Sequence, residues 1–519
     1  MMIPILKALV LNEVRLRMRR VSTLVVLMAV VVISWAMIAD PATGSALITT
    51  GDTRVLYTSS ALAVGSASLG CLLFGLGGFY LVRGRIAEDI RSGTGSVIGA
   101  TPVSNALFLA GRWAGGVAYL GSMMLVFMFT IMALHAVRGD GPIQPHIYLQ
   151  NYIMLLLPMM FFCVSCAILF DSYAPLMGKG GDVLFFFVWV VQLLIVVPVI
   201  EAPKAMALLD FFDFNGMGAS MQVVTASLGT HNVSLGGGDF KASIAPVAMP
   251  DYLWSVMAGF KRMIAATLAL LPLLPAIFLF HRFSPDKVKL SRATKRRSPI
   301  EVLNGFLRPL SRLVSPLFRI AAALPGMAGQ VVGDVALTLV ASPSAILALL
   351  VAVAAGMFAE SAALGFVMLG CVAFWGVLVS SVTSRDFEAG TDAMTGAVRG
   401  GIRARFVRQY AATVVVGLLF TGAVMLRWVP EHPERALSAL VGILSLSALA
   451  GTFGRTSRTS RLFLSLFLFM LYIAVNAPKL AFVDVAGFSG AATMATTAIW
   501  MSIGLAALAG GYLFNRRAA

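Results

Sequence analysis

Charged side chains are scarce in this chain. Asp, Glu, Lys and Arg make up 12% of its 519 residues, where an ordinary soluble domain carries about a quarter, so most of the chain has no solvated surface to offer. Cysteine is scarcer still. Cys71, Cys163, Cys166 and Cys371 each stand inside an apolar run, which excludes a disulfide framework and reads as small buried hydrophobes. Cys163 and Cys166 form a CxxC, but zinc needs two further ligands near by, and His135, His146, His231, His281 and His432 are scattered; no metal is assigned. The chain also lacks the phosphate-loop pattern G-x-x-x-x-G-K-S/T. Gly451 to Ser457 is glycine-rich, but it has no lysine to reach a phosphate. A membrane-embedded enzyme would need clustered His, Asp or Glu near one leaflet, and Asp210, Asp213 and His231 match no metal spacing.

What is abundant is apolar. Hydrophobic residues make up 59% of the chain and the mean hydropathy is +0.89, which places it in a bilayer. Windows of about 19 residues find apolar segments near 23–39, 61–82, 113–137, 149–170, 183–200 and 260–280. After a basic stretch they recur near 343–359, 361–383, 410–428, 436–453, 462–476 and 491–514. The first segment follows Lys7, Arg15, Arg17, Arg19 and Arg20 without a clean cleavage site, so it reads as a retained span. The expected fold is all-α and integral to the membrane, with about twelve transmembrane helices. Residues 1–280 form the first half, 281–330 a basic linker and 331–519 the second half.

The net charge of +16 would suggest nucleic acid in a soluble protein, but here its placement explains it. With the N-terminus, the loops 83–112, 171–182, 281–330, 384–409 and 454–461, and the C-terminus on one side, that side holds 30 of the 39 Lys and Arg. The positive-inside rule then puts both termini in the cytoplasm. The densest run, Lys287, Lys289, Arg292, Lys295, Arg296 and Arg297, reads either as a plain linker or as an attractor of anionic lipid.

The loop after the second segment matches the loop after the eighth without a gap. Glu88-Asp89-Ile90-Arg91-Ser92-Gly93-Thr94 runs on to Gly99-Ala100, and Arg385-Asp386-Phe387-Glu388-Ala389-Gly390-Thr391 runs on to Gly396-Ala397. Asp, Gly-Thr and Gly-Ala coincide at a constant offset of 297. Glu13-Val14 resembles Asp334-Val335, and Ala202-Pro203-Lys204 resembles Ala477-Pro478-Lys479. The halves therefore read as parallel repeats. One such loop alone would pass as a solvated connection; two in one register point to a docking role.

At these residues the chain resembles the type-2 family of ATP-binding-cassette (ABC) permeases, over nearly its whole length and once in each half. The family pattern is an acidic residue, then Gly-Thr, then Pro-x-Ser and a basic residue before the third span. The first half has Glu88, Asp89, Gly93, Thr94, Pro102-Val103-Ser104 and Arg112; the second keeps Asp386, Glu388, Gly390 and Thr391 but has Arg399 and Gly401 where Pro and Ser would stand. The resemblance implies an exporter-type permease subunit and two copies of a cytoplasmic ATPase subunit that hold ATP and Mg. The coupling loops would be Glu88, Asp89, Gly93 and Thr94, with Arg385, Asp386, Glu388, Gly390 and Thr391. The departure implies unequal docking by the two halves.

The same resemblance gives each half an amphipathic elbow helix. Ile3, Leu6, Val10 and Val14 fall at helical spacing with Arg15 and Arg19 off the stripe, as in a helix lying in the interface, and Glu13 belongs to that elbow. In the second half Pro309 and Pro316 break any long helix, so two short interfacial pieces are expected, then an elbow near 331–340 with Asp334. The resemblance further makes the second and fifth spans of each half line the route. Phe185, Phe186, Trp189, Gln192, Phe463, Phe467 and Tyr472 are then either a greasy passage for a hydrophobic substrate or ordinary packing. The external segment 201–259 is either a lid or a surface loop. Few buried charges are expected in the spans, which disfavours proton relays. A secondary transporter of the major facilitator kind also has two six-helix halves, but its loop after the second span is short and basic. Lipid and a hydrophobic substrate are the expected partners, with no nucleic acid; the bacterial inner membrane is the expected site.

Overall fold

The computed structural model describes residues 2–197, 208–281, 283, 299–397 and 400–517. Ala202-Pro203-Lys204, the basic run Lys287–Arg297 and Arg399 lie outside the described residues. The chain divides into two compact units, Met1–Arg296 and Arg297–Ala519, and the division falls inside the basic stretch 281–330.

The first unit opens with α1 (Met2–Met18) and α2 (Val21–Met37), set at 73° to each other where Arg19 and Arg20 interrupt the apolar run. Strands β1 (Ser45–Thr50) and β2 (Thr53–Arg54) follow. Helix α3 (Ser59–Val82) starts at Thr58, whose Oγ1 accepts from Ala61 N, a side-chain cap for an otherwise unmet donor. Gly84, at φ +91, turns the chain into the short α4 (Arg85–Arg91) and α5 (Thr94–Gly99). Helix α6 (Asn105–Arg138) is capped by Ser104 Oγ, and α7 (Pro145–Ser172) begins on a proline, which costs no hydrogen bond in a first turn. Helix α8 (Lys179–Leu194), α9 (Met217–Leu228), β3 (Val233–Asp239), α10 (Val256–Leu268) and α11 (Leu273–Leu279) complete the unit.

The core of this unit is the seam of α3, α6 and α7, where Leu62, Met123, Phe127, Leu155 and Met159 are fully buried. Helix α1 lies against α6 because Gly111 and Gly115, four residues apart, leave room for it. A Cβ on Gly111 would come within 2.8 Å of Leu9, and one on Gly115 within 2.6 Å of Glu13. Small residues spaced this way are what lets helices approach in lipid.

The second unit contains α12 (Pro299–Phe306), a 3-10 turn at Arg308–Val314, α13 (Ser315–Ala323) and α14 (Gly326–Ala341). Helix α15 (Pro343–Phe358) leaves α14 at 103°. Then come α16 (Leu364–Val379), the short α17 (Arg385–Glu388) and α18 (Asp392–Gly396), α19 (Gly401–Glu431), α20 (Pro433–Ser457), α21 (Arg461–Asn476) and α22 (Met494–Arg517). Trp375, Val416, Phe420 and Ile443 are fully buried in its core.

Among the described residues eight helices are long and apolar enough to cross a membrane, ten if each bent pair is one span, against twelve segments in the hydropathy profile. The remaining two segments fall on α8 and α21. Helix α21 has 16 residues, about 24 Å of helix, which is short of the roughly 30 Å hydrocarbon core.

The expectation of an all-α chain is corrected by a three-stranded antiparallel sheet in the order β2-β1-β3. Ala46, Leu47, Ile48 and Val55 are buried beneath it, and Tyr57 Oη accepts from Leu47 N and donates to Ala39 O. A 19-residue window averages such short strands away, and β1 finds β3 far along the chain, with Thr50 opposite Val233. The described part of segment 201–259 is thus structured, and β3 is tied into the sheet.

The buried charges of this unit gather at the segment ends. Arg83 at the end of α3 lies 3.0 Å from Asp182 and 3.6 Å from Asp171, all three buried. Arg262 is paired with Asp213 and donates to the carbonyls of Met154 and Asp213, while Lys261 meets Asp210 at 2.5 Å. Burial pushes the Asp213 carboxyl up, against the pull of Arg262. Because a lone buried charge costs several kcal/mol, these residues stand at segment ends where a partner from another element can meet them.

Candidate functional site

Each unit carries one cluster of charges built around its matching turn. In the first, Glu13 of α1, Asp89 of α4 and Arg112 of α6 come together. Arg112 donates to both carboxylates, one guanidinium bridging helix and turn. Arg85 lies 3.6 Å from Glu13, 3.5 Å from Asp89 and 2.7 Å from Glu88, and Glu88 also meets Arg20 at 2.5 Å. Arg17 donates to Glu13 at 2.8 Å and to the carbonyls of Leu81 and Val82 at 2.8 and 2.7 Å. Those are among the last carbonyls of α3, which have no partner within the helix. Glu13, Arg17 and Asp89 are each no more than 3% exposed.

In the second cluster the work of Arg112 is divided between two neighbours. Arg408 donates to Asp334 of α14 at 2.7 Å, and Gln409, at the register of Arg112, donates to Asp386 at 3.3 Å. Arg405 lies 3.5 Å from Asp386 and 2.7 Å from Asp392, and Arg455 of α20 reaches Asp392 at 2.6 Å. Burial alone would raise the Asp392 carboxyl, but Arg455 and Arg405 outweigh it and hold it below the usual carboxylate range. Arg385 donates to Thr338 Oγ1 at 3.3 Å, and Glu388 accepts from Ser384 Oγ at 2.9 Å.

The two turns make the same backbone bonds at the offset of 297. Ser92 N donates to Glu88 O and Ala389 N to Arg385 O, both at 2.9 Å; Gly93 N donates to Ile90 O and Gly390 N to Phe387 O. The hydroxyl of Thr94 donates to Asp89 O and that of Thr391 to Asp386 O. Gly93 and Gly390 sit at φ +75 and +72, the left-handed region where other residues are strained. Each turn then ends on an apolar side chain that meets little: Val97 is 69% exposed and Met394, at the same register, 76%.

The helices that follow start differently. Ser104 Oγ accepts from Leu107 N at the head of α6, whereas α19 follows Gly400 and Gly401, both at positive φ, with no side-chain cap. Gly401 stands where Ser104 would have its counterpart at the offset of 297.

Not all of the expected residues join a cluster. Arg15 is exposed and touches neither carboxylate; the buried cation of α1 is Arg17. The spacing of Glu13 and Arg17, four apart on one helix face, was the sequence signal for it. Nothing in the order of residues marks Arg85, Arg405 or Arg455 as the ones that close the clusters. Phe185 is stacked on Phe79 within the first unit, Trp189 packs beside Gly75 and Asn215, and Gln192 Oε1 accepts from Phe214 N at 3.2 Å. Phe186 is half-buried, at 5.9 Å from the Trp189 ring. In the second unit Phe463 and Phe467 are stacked and buried and Tyr472 is half-buried. Phe467 also borders an apolar cavity of about 20 Å³ with Val372, Met470, Leu471 and Val485, room for about one water. No group of three His, Cys, Asp or Glu among the described residues is placed to hold a metal ion.

Eight long apolar helices among the described residues fit an integral membrane protein. Comparison with protein-family models, with curated proteins and with solved structures finds no match.

Proposed function

We infer that the chain is the membrane-spanning permease subunit of an ABC transporter, two parallel repeats fused in one chain, driven by ATP hydrolysis in two separate cytoplasmic ATPase subunits. One observation carries the reading: two turns with matching backbone bonds, 297 residues apart, the first joined to α1 through Arg112 and the second to α14 through Arg385 and Thr338, each ending on an exposed apolar side chain. Helices α1 and α14 are the elbows of this scheme, and both termini are cytoplasmic. ATP and Mg belong to the partner subunits.

The carboxylates act inside the turn. Asp89 and Asp386 are spent on Arg112, Arg85, Arg405 and Gln409, so they hold the turn to its helices and the exposed tip, Val97 or Met394, meets the ATPase. Closure of the two ATPases pushes on a turn whose load reaches the elbow through the Arg112 bridge. The cargo is hydrophobic or amphipathic and is exported across a bacterial inner membrane.

The test is to tag the C-terminus, solubilise the protein gently from its native membrane and count what comes with it. Two copies of a soluble chain with a phosphate-loop motif are expected. A permease that comes alone, under conditions where known transporter complexes survive, would end this reading and favour secondary transport. Val97→Asp combined with Met394→Asp is expected to release the ATPase and leave the permease folded, since exposed positions tolerate such changes within about 0.5 kcal/mol.

A further inference from the structure

The segment from α12 to α13 is amphipathic in an unusual way: its apolar side chains are outside. Phe306 is 80% exposed, Leu313 59% and Ile320 47%, while Val314 alone turns inward and is buried against the unit. Arg308, Arg312 and Arg319 are interleaved with them and exposed. The ion-paired arginines of this unit are Arg405, Arg408 and Arg455; the three of this segment have no acidic partner among the described residues. The segment is also fixed in height. Asn304 Oδ1 accepts from Ser344 N at 2.9 Å, which pins α12 to the first turn of α15, the point where an apolar helix begins.

Left in water, the apolar side chains of this surface would be costly to expose. We propose that residues 302–320 form a docking surface for the anionic phospholipid headgroups of the adjoining leaflet, with the apolar side chains inserted and the three guanidiniums on phosphates. Helices that lie in the interface carry this combination of exposed apolar residues and a basic polar face, and guanidinium geometry suits phosphate oxygens. Each basic residue near an anionic surface contributes about fivefold to the docked population, and three together on the order of 100-fold. This inference does not rest on the transport reading.

The test uses the full chain in nanodiscs. The native cysteines are buried, so Leu313→Cys takes a spin label at a site that is otherwise exposed. Accessibility to oxygen and to a water-soluble nickel complex is read in phosphatidylcholine alone and in an equal mixture with phosphatidylglycerol. The expected result is a move from nickel-accessible to oxygen-accessible when phosphatidylglycerol is present. It should be reversed by high salt, lost in Arg308→Gln/Arg312→Gln/Arg319→Gln and kept when the three become lysine. A label equally shielded, or equally wet, in both bilayers would overturn the proposal. So would a phosphatidylglycerol response that survives the glutamine variant, because the run 287–297 would then be its source.

Discussion

Replacing Arg112 by Gln puts into the first unit the residue that the second carries at the same register, Gln409. The cluster around Arg112 holds three carboxylates, Glu13 and Asp89 buried and Glu88 half-buried, and four arginines, Arg17, Arg20, Arg85 and Arg112. Removing Arg112 leaves three of each, so no charge is left without a counterion. The loss is the bridge between α1 and the turn, offset in part by the amide, and should cost about 1–2 kcal/mol. The turn should then open about 5 to 30 times more often, with amides 88–100 exchanging faster by that factor while those of α3 and α7 are unchanged. Adding Arg85→Gln leaves Glu13 and Asp89 with Arg17 alone, which reaches only Glu13. Stranding a buried carboxylate costs about 3–5 kcal/mol, so the double variant should lose more than the sum of the singles. Hydrogen exchange of the purified full chain reads both numbers. Unchanged exchange at 88–100 in Arg112→Gln, or simple additivity in the double variant, would refute the claim that this guanidinium joins the turn to the helix.

Gly115→Leu should separate α1 from α6, since even its Cβ would stand 2.6 Å from Glu13; a loss of about 1–3 kcal/mol would appear as protease sensitivity at the N-terminus. Arg83→Gln removes the guanidinium that Asp171 and Asp182 share and should lower the yield of folded protein sharply, by about 3–5 kcal/mol of stability, with partial rescue by Asp182→Asn. Asp392 has its carboxyl held below its ordinary value of 3.8 by Arg455 and Arg405 against the effect of burial. Its contribution to stability is therefore complete above that value and lost as pH falls below it. Exchange at 401–405 should accelerate in that acid range in the native protein, and Asp392→Asn should remove the acid dependence.

Much of the fold was legible because apolar length is a long-range signal that needs no partner. Eight of the twelve hydropathy segments are single long helices, and two more belong to bent pairs. The reason the rest was hidden differs from case to case. Strand β1 is six residues long and pairs with β3, which begins at Val233, so neither a window nor a local turn signal could find it. The charge clusters were half legible: Asp89 and Asp386 stood out by recurrence, but their partners Arg85 and Arg405 come from the fold. Recurrence does not tell which side chains are exposed, and Asp89 is 3% exposed. Val97 and Met394 stand exposed at the ends of the turns, and no charge pattern selects them.

The two clusters solve one problem with different parts, and the difference has a mechanical consequence within each unit. In the first, a single guanidinium holds both carboxylates, so a displacement of Asp89 must move Arg112 and with it Glu13. In the second, Arg408 holds Asp334 and Gln409 holds Asp386 through separate side chains, and the turn is instead braced from α20 by Arg455 through Asp392. A push on the second turn is therefore passed to α20 through Asp392 and Arg455 as well as to α14 through Arg385 and Thr338. The start of the next helix follows the same division: α6 is fixed by the Ser104 cap, whereas α19 begins on two glycines at positive φ, where the chain can turn without strain. Introducing an arginine by Gln409→Arg should make the second unit resemble the first, with Asp334 and Asp386 sharing a cation and amides 385–397 exchanging more slowly. If exchange there is unchanged while Arg112→Gln loosens the first turn, the bridging geometry belongs to the first unit alone and the two turns carry load by different routes.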